Sequence, residues 1–262
     1  MIRGLYTAAS GMIATMMAND TLANNLANIN TTGYKTDAVT QQSFPEILIR
    51  RSGREGNPAI GSIMTGSKID SSFVHHVQGA LTETGNKFDL AINGDGFFTI
   101  QTPPDQTGKT ETFYTRNGVF TLNQEGYLTT LDGNFVMGDL GKINISLDNG
   151  PYRFDGNGQL FAKDRLVDQL HITRFEDNRM LEKVGGTYFG KTPASKEMPP
   201  ANPNEYPGFS IEQGKVERSN TNALGEMVTM IQGMRLYESL QKNIQLHNQI
   251  LEKAANEVGR IR

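Results

Sequence analysis

Apolar and small residues recur in the first stretch of the chain at steps that alternate between three and four. They pass through one polar position, Asn19, and they are Leu5, Ala8, Met12, Thr15, Leu22, Leu26 and Ile29. The same spacing returns in the tail at Tyr237, Leu240, Ile244, His247, Leu251, Ala254, Val258 and Ile261. A repeat of this period predicts a helix with one narrow apolar seam that packs on another helix. Both ends of the chain, 1–36 and 220–262, are therefore predicted to be long helices.

Each predicted seam is one stripe wide, and polar residues fill the other faces of the helix. An isolated pair of such helices buries little apolar surface, so its stability depends on further packing. One interpretation is that the two ends of the chain pack against copies of themselves in an assembly. The alternative is an ordinary two-helix layer over a globular body, since such seams also occur in bundles.

Side-chain amides are concentrated near the end of the first predicted helix, at Asn24, Asn25 and Asn28. Because Asn is a poor helix former, this pattern predicts hydrogen bonds to neighbouring helices, with a solvated polar face as the alternative. Gly33 is predicted to end the helix by adopting the left-handed conformation. In the last helix, Gly233 indicates either a close helix crossing or a tolerated defect.

Between the two helices the pattern changes to strands and turns. Residues 37–76 predict an extended connecting segment, 77–190 a mostly antiparallel β domain, and 191–219 a stiff, proline-rich return linker. Within the β domain, Asn93-Gly94-Asp95-Gly96 predicts a hairpin between its flanking strands. A hairpin pattern that begins at Phe120 is repeated from Tyr152. The predicted fold class is α+β, with a coiled-coil-like layer of terminal helices and a central β domain.

Composition argues against several classes of function. A net charge of −3 over 262 residues argues against nucleic acid as a partner, and the absence of Cys excludes thiolate zinc sites. No segment approaches the roughly 20 apolar residues of a membrane-spanning helix, so no direct membrane insertion is predicted. His75-His76 has no third metal ligand at a suitable spacing, and no nucleotide-binding motif is present. We therefore predict no enzyme activity, cofactor or metal.

Three parts of the sequence resemble the bacterial flagellar rod and hook proteins. The first runs from Gly4 to Met12 and from Leu22 to Thr36, and resembles the N-terminal signature of that family. Central motifs are similar over 79–86, 89–98 and 114–118. Gln213-Gly214 with Glu217, together with Glu226–Ile231 and Arg235–Glu238, resembles the C-terminal signature, although Gly233-Met234 departs from it.

This resemblance implies a structural subunit of the flagellar basal-body rod, the periplasm-spanning drive shaft that transmits motor torque to the hook. Its implied partners are copies of itself, other rod proteins and the flagellar type III export apparatus, which exports it without a cleaved signal peptide. Hook, inner-membrane-ring and bushing-ring proteins are further candidates. A proximal-rod type is favoured over a distal one. The alternatives are a secreted cell-wall hydrolase and a self-contained soluble binding module.

The candidate site residues are accordingly those of a subunit interface rather than a catalytic centre. On the N-terminal side they are Leu5, Met12, Leu22, Leu26 and Ile29, with Asn24, Asn25 and Asn28 as hydrogen-bonding groups. On the C-terminal side they are Tyr237, Leu240, Ile244, Leu251 and Val258. Arg50, Arg51 and Arg54 form a basic loop that is either solvated or a docking site for an acidic partner.

Overall fold

The computed structural model describes residues 2–44, 47–50, 59–63, 66–104, 108–145, 152–163, 165–198 and 209–259. The chain divides into two compact units. The helical unit comprises Met1–Ala27, Asp37–Phe73 and Asn222–Arg262, and the β unit comprises Asn28–Thr36 and Val74–Thr221. Neither helix in the described residues combines the length and the hydropathy that crossing a membrane requires.

The helical unit is built from α1 (Ile2–Ala27) and α2 (Ala223–Gly259), which pack on each other. Its four strands are β1 (Asp37–Ser43), β2 (Ile47–Arg50), β3 (Ala59–Ile63) and β4 (Ser67–Val74). β1 pairs with β4, and β2 pairs antiparallel with β3. The segment predicted as an extended connection thus forms paired strands. The side chains of the predicted basic loop at Arg50, Arg51 and Arg54 lie outside the described residues.

The first helix ends earlier than the sequence pattern predicts. α1 stops at Ala27, so Asn28 and Ile29 lie beyond it, in the turns that follow. There the Thr31 amide donates to the Asn28 carbonyl, and the Thr31 hydroxyl donates to the Asn28 side chain. Side chains of this kind compete with helical hydrogen bonds and so favour a turn.

Gly33 does adopt the left-handed conformation that was predicted, with a φ of 69°, but it does not close the helix. It lies in the β unit, and its amide donates to the Glu217 carbonyl. The prediction that Gly33 ends α1 was therefore wrong, because the turn at Asn28 ends it first.

The start of α2 follows a standard capping pattern. Asn222 precedes the helix, and its side-chain oxygen accepts a hydrogen bond from the Gly225 amide at 3.3 Å. Its carbonyl accepts from the Glu226 amide at 2.9 Å. Asn222 is thus the N-cap residue, and the acidic Glu226 in the first turn suits the positive end of the helix dipole.

Within its described residues, the β unit is built from short strands and the 3-10 turn Asn178–Met180. The strands, in chain order, are β5 (Leu81–Glu83), β6 (Leu90–Gly94), β7 (Phe97–Gln101), β8 (Thr112–Thr115), β9 (Phe120–Leu122), β10 (Leu128–Thr130), β11 (Phe135–Gly138), β12 (Gly141–Lys142), β13 (Tyr152–Phe154), β14 (Gln159–Ala162), β15 (Arg165–Gln169), β16 (Ile172–Thr173), β17 (Leu181–Val184), β18 (Tyr188–Lys191), β19 (Phe209–Gln213) and β20 (Lys215–Glu217).

The largest sheet has the strand order β17-β18-β8-β7-β11-β10-β9, with β12 also on β11 and β16 also on β7. Its central strand β7 is buried on both faces. Phe98 and Ile100 belong to the main apolar core, whereas Phe97 belongs to a second cluster with Phe175 and Phe189. Alternate residues of a strand point to opposite faces, so β7 separates two cores. The mostly antiparallel β domain is thereby confirmed.

The two repeated hairpins are confirmed. β9 pairs with β10 and β13 pairs with β14, with Gly126 and Gly158 in the intervening turns at φ values of 82° and 77°. The hairpin predicted at 93–96 was wrong, although both of its strands exist. β6 pairs with β19, whereas β7 pairs with β8, β11 and β16, because the glycine-rich turn carries the chain from one sheet into another.

The predicted return linker contains two strands of the β unit. β19 pairs with β6 along five residues and places Phe209 and Ile211 in the main core. β20 pairs with β5. The proline-rich residues 199–208, on which the linker prediction rested, lie outside the described residues.

Candidate assembly surface

The two helices run antiparallel, and three close approaches define their register. Gly4 lies against His247, Gly11 against Leu240, and Gly233 against Asn19. A Cβ atom added at Gly11 would lie 3.2 Å from Leu240 Cδ1, and one added at Gly233 would overlap the Asn19 side chain. Gly233 is therefore a close helix crossing rather than a tolerated defect.

The residues predicted for the seams lie where the helices meet within one chain. Leu5, Met12, Leu22 and Leu26 of α1 are half-buried, as are Tyr237, Leu240, Ile244 and Leu251 of α2. The half-buried positions of α2 repeat at alternating steps of three and four, as a seam against one partner helix requires. The Val258 side chain lies outside the described residues.

The amide side chains do not share one environment. Asn25 is 1% exposed, and its amide clamps Asp37 at both backbone positions: it donates to the carbonyl at 2.8 Å and accepts from the N–H at 3.0 Å. Within one chain its side chain thus holds the start of β1, and its bonding between subunits stays a prediction. Asn28 bonds locally in its turn, whereas Asn24 lies exposed on α1.

A second set of apolar residues on the helices is exposed, and the seam prediction missed it. On α1 it consists of Tyr6, Ile13, Met16 and Met17, and on the first half of α2 of Leu224, Met227, Val228, Ile231 and Met234. The α2 residues follow the spacing of one helix face. Ile231 is 51% exposed and Leu224 is 73% exposed. So many exposed large apolar side chains on one element indicate a protein-binding surface.

This surface could have been found in the sequence. The steps from Leu224 to Met227, Val228 and Ile231 are three, one and three residues, which is an amphipathic pattern in its own right. The centre of this face, at Ile231, lies about 160° around α2 from Gly233 and about 120° from Tyr237, at 100° per residue. A helix with two separate apolar faces has more than one partner.

A buried ionic cluster of Lys35, Arg116 and Glu217 lies in the β unit, where the chain leaves and returns to the helices. The three side chains are 1%, 3% and 0% exposed. Glu217 accepts hydrogen bonds from the Lys35 ammonium, from the Arg116 guanidinium at 3.4 Å and from the Gly79 amide at 2.8 Å. Burial lowers the pKa of Lys35, and the Glu217 carboxylate opposes that shift.

Backbone contacts around the ionic cluster tie the same segments together. The Asn220 side chain accepts from the Thr36 amide at 2.9 Å and donates to the carbonyls of His75 and Val77. Lys35 also donates to the Val77 carbonyl at 2.8 Å. Hydrogen bonds thus join the segment that follows α1 to the segment that precedes α2. Both segments are also bonded to residues 75–77, which directly follow β4.

His76 packs beside the ionic cluster with its ring 5.7 Å from that of Phe97 and 5.1 Å from that of Phe189. Neither ring nitrogen makes a hydrogen bond of standard geometry. Burial, and then the positive charges of Lys35 and Arg116, lower the pKa of His76 to about 4, and a backbone group of Asn178 opposes the shift to a smaller extent. His76 is therefore neutral at physiological pH.

We expect the stability of the β unit to fall as the pH is lowered from about 6.5 to about 4. The unfolded chain binds a proton on His76 in that range and the folded chain does not, so acid favours unfolding by up to about 3 kcal/mol. Urea denaturation at a series of pH values measures this. His76→Phe should remove the component, and His75→Phe, next to it in the sequence but exposed, should retain it. An unchanged pH profile in His76→Phe would contradict the assignment.

The described residues hold no group of three or more His, Asp or Glu side chains arranged to bind a metal ion. The other features that stand out are the exposed apolar surfaces of α1 and α2 and the buried ionic cluster.

Three family models match the chain. The model described as "Flagella basal body rod protein" matches residues 5–35. That of the "Flagellar hook protein FlgE/F/G D1 domain" matches residues 91–162. That of the "Flagellar basal body rod FlgEFG protein C-terminal" matches residues 212–257. Lys35, Arg116 and Glu217 come one from each of these regions, so the ionic cluster joins all three.

Similar proteins match over nearly the whole chain. The flagellar basal-body rod protein FlgG of Buchnera aphidicola subsp. Acyrthosiphon pisum is 32% identical over 97% of this chain and 98% of its own. The flagellar basal-body rod protein FlgF of Mesorhizobium japonicum is 33% identical over 90% of this chain and 89% of its own. The flagellar hook-basal body complex protein FlhO of Bacillus subtilis is 30% identical over 100% of both chains.

Proposed function

This chain belongs to the family of flagellar basal-body rod proteins, of the FlgG and FlgF type, and we propose that α1 and α2 form the inner axial layer of the rod. The protein is a structural subunit of the basal-body rod and not an enzyme. It assembles with copies of itself and with other rod and hook components. Neither the cell-wall hydrolase nor the self-contained binding module has support among its relatives.

The observation that carries the proposal is the exposed apolar face of α2 from Leu224 to Met234. In one chain the seam of α2 is already used against α1, so this face remains for the helices of neighbouring subunits. Removing such side chains from water drives association, at roughly 25 cal/mol per Å² of apolar area. The layer is coiled-coil-like in this proposal, because the α2 seam keeps its period over most of the helix.

The predicted seam residues retain a role in this proposal. The two helices of one subunit are held together by Leu5, Met12, Leu22, Leu26, Tyr237, Leu240, Ile244 and Leu251. Val258 and Asn24 belong to the same inner layer. The exposed faces then make the contacts between subunits. The helices gain most of their protection from solvent on assembly, because narrow seams leave an isolated pair only weakly stable.

Export through the flagellar type III apparatus and a position in the periplasm are part of the proposal, and the family supports both. Further partners are other rod proteins and the hook, inner-membrane-ring or bushing-ring proteins that adjoin the rod. The matched names give no position along the rod, so the proximal type stays a prediction.

We expect Ile231→Asp to leave the monomer folded and to abolish incorporation into the rod. A charge on the exposed face costs the monomer little, but between subunits it is buried without a partner. Incorporation should fall at least about tenfold, as for a central interface residue. The measurement is the amount of each variant in basal bodies isolated from cells that lack the native copy, with circular dichroism of the purified monomer.

Leu140→Asp is the matched control. Leu140 is 84% exposed, but it lies in a turn of the β unit rather than on a helix. It should incorporate as the native chain does. Normal incorporation of Ile231→Asp would show that the exposed face of α2 is not part of the assembly surface.

A further inference from the structure

A groove of about 450 Å³ lies along one side of the helix pair. Met16 and Met234 form its apolar floor, and Tyr237 contributes at the seam edge. Two exposed carboxylates, Asp20 and Glu238, also line it. We refer to these five residues as the acidic groove. Both methionines are about half exposed, and their flexible side chains adapt readily to an incoming apolar group.

The order of groups along the acidic groove follows from the helix register. Because Asn19 faces Gly233 and Gly11 faces Leu240, Asp20 is level with a point just before Met234. Met16 is level with a point between Met234 and Glu238. The groove therefore presents a negative charge, two methionines and a second negative charge in sequence along α2.

The far half of α2 carries the complementary order. Lys242, Leu246, Ile250 and Lys253 are spaced four, four and three residues apart and so share one face, which we call the basic stripe. All four are exposed, with Leu246 at 55% and Ile250 at 51%. Glu252 lies on the opposite side of the helix from Ile250, two residues away at 100° per residue. Glu257 is exposed on the same face as the stripe, one turn beyond Lys253. From Lys242 to Lys253 the stripe presents a positive charge, two aliphatic side chains and a second positive charge.

None of the four charged groups has an ion-pair partner in the part of the chain that the structure describes. The stripe spans about 16 Å between its two lysines at 1.5 Å per residue, and the groove about 10 Å. Because lysine side chains are long and flexible, their ammonium groups can reach carboxylates that are closer together than the two lysine backbones. Glu238 and Lys242 are one turn apart on neighbouring faces of α2, so that single pair can meet within one chain. Lys253 lies 15 residues, about 22 Å, beyond Glu238, so one chain cannot bring the whole stripe to its own groove.

We propose that the basic stripe of one subunit docks in the acidic groove of the next copy of this chain. The inference rests on the proposed function, since it specifies one contact of the rod assembly. The contact is heterologous, because it joins two different surfaces. Such contacts continue from subunit to subunit and build an open helical assembly rather than a closed dimer. Charge pairing fixes the register, and the apolar side chains supply the contact area.

Copies in an axial helical layer keep α2 parallel, so Lys242, the first charge of the stripe, meets Asp20, the first charge of the groove. The test uses two charge reversals in the full chain, Asp20→Lys and Lys242→Glu, expressed in cells that lack the native copy. Each variant alone places like charges together and should reduce incorporation into basal bodies about tenfold. Expressed together, the two variants should restore it. The reversed groove of the first accepts the reversed stripe of the second, and the remaining pair is native. Glu125→Lys, in an exposed turn of the β unit, is the charge-matched control and should incorporate normally.

Two results would overturn this docking: normal incorporation of either single reversal, or failure of the pair to exceed the singles. The second result would make another rod component the occupant of the groove. Ile231→Asp, measured in parallel, separates this inference from the proposed function. If Ile231→Asp blocks incorporation while the reversal pair fails, only the docking is wrong. Normal incorporation of Ile231→Asp would instead contradict the proposed function, on which the docking rests.

Discussion

Glu217→Gln is expected to destabilise the β unit by about 3–5 kcal/mol, the range for removing one partner from a buried ion pair. The amide keeps the size of the carboxylate but removes the only charge in the ionic cluster that offsets Lys35 and Arg116. Both cations are almost fully buried and cannot turn to water. Lys35 can lose its proton, so part of the lost stability should return as the pH rises toward the unfolded pKa of lysine.

The measurement is urea denaturation of the full chain, with hydrogen exchange of the β7 amides to assign the change to the β unit. Glu212→Gln provides a matched control, because Glu212 forms an ion pair with Lys215 on the surface at 2.7 Å. Exposed pairs contribute about 1 kcal/mol or less, so this control should change little. Equal losses in the two variants would show that the ionic cluster carries no special energy.

Gly33→Ala should cost about 3 kcal/mol, from two sources. The left-handed conformation costs a residue with a Cβ roughly 1–2 kcal/mol. The new Cβ would also overlap the backbone at Asn117, and backbone shifts of this kind typically cost about 1–3 kcal/mol. The Asn117 amide is itself bonded to the Thr115 hydroxyl at 3.0 Å, so it does not yield easily.

Gly85→Ala is the control that separates the cost of the overlap from the cost of the conformation. Gly85 has a φ of 71°, almost the same as the 69° of Gly33, but no atom lies within 4 Å of its added Cβ. Its substitution should therefore show the conformational cost alone, about 1–2 kcal/mol. The difference between the two urea midpoints measures the overlap at Asn117. If the two variants lose equal stability, the close packing of Gly33 contributes nothing.

Local patterns predicted local structure well. The hairpins at Gly126 and Gly158 were predicted correctly, because strand, turn and strand all lie within about a dozen residues. The N-cap at Asn222 and the half-buried seams of α1 and α2 could be predicted for the same reason, since helix periodicity is a property of neighbouring residues.

The hairpin prediction failed because it depended on a distant partner. Asn93-Gly94-Asp95-Gly96 has the composition of a hairpin turn, but β6 pairs with β19, more than a hundred residues later. The amide of Asn25 binds both backbone groups of Asp37 within the chain, a partner that the sequence did not indicate. Turn composition and amide spacing state which bonds a segment can make, not which competing partner the fold supplies.

The ionic cluster could not be predicted as a site. Lys35, Arg116 and Glu217 each stand in one of the three motifs that resemble the flagellar proteins, but those motifs do not state that the three side chains meet. Charged residues are rarely buried, so a prediction from composition places all three on the surface. Only the assembled β unit shows that they share one site.

The separation of Lys35 and Glu217 by 182 positions also sets when the chain can fold. Contacts between residues so far apart form late, because the intervening loop must close before the contact is made. Synthesis proceeds from the N-terminus, so β19, β20 and Glu217 are absent until most of the chain exists. The β unit cannot reach its final core before then, so the growing chain stays without a completed core until its last segments have been made.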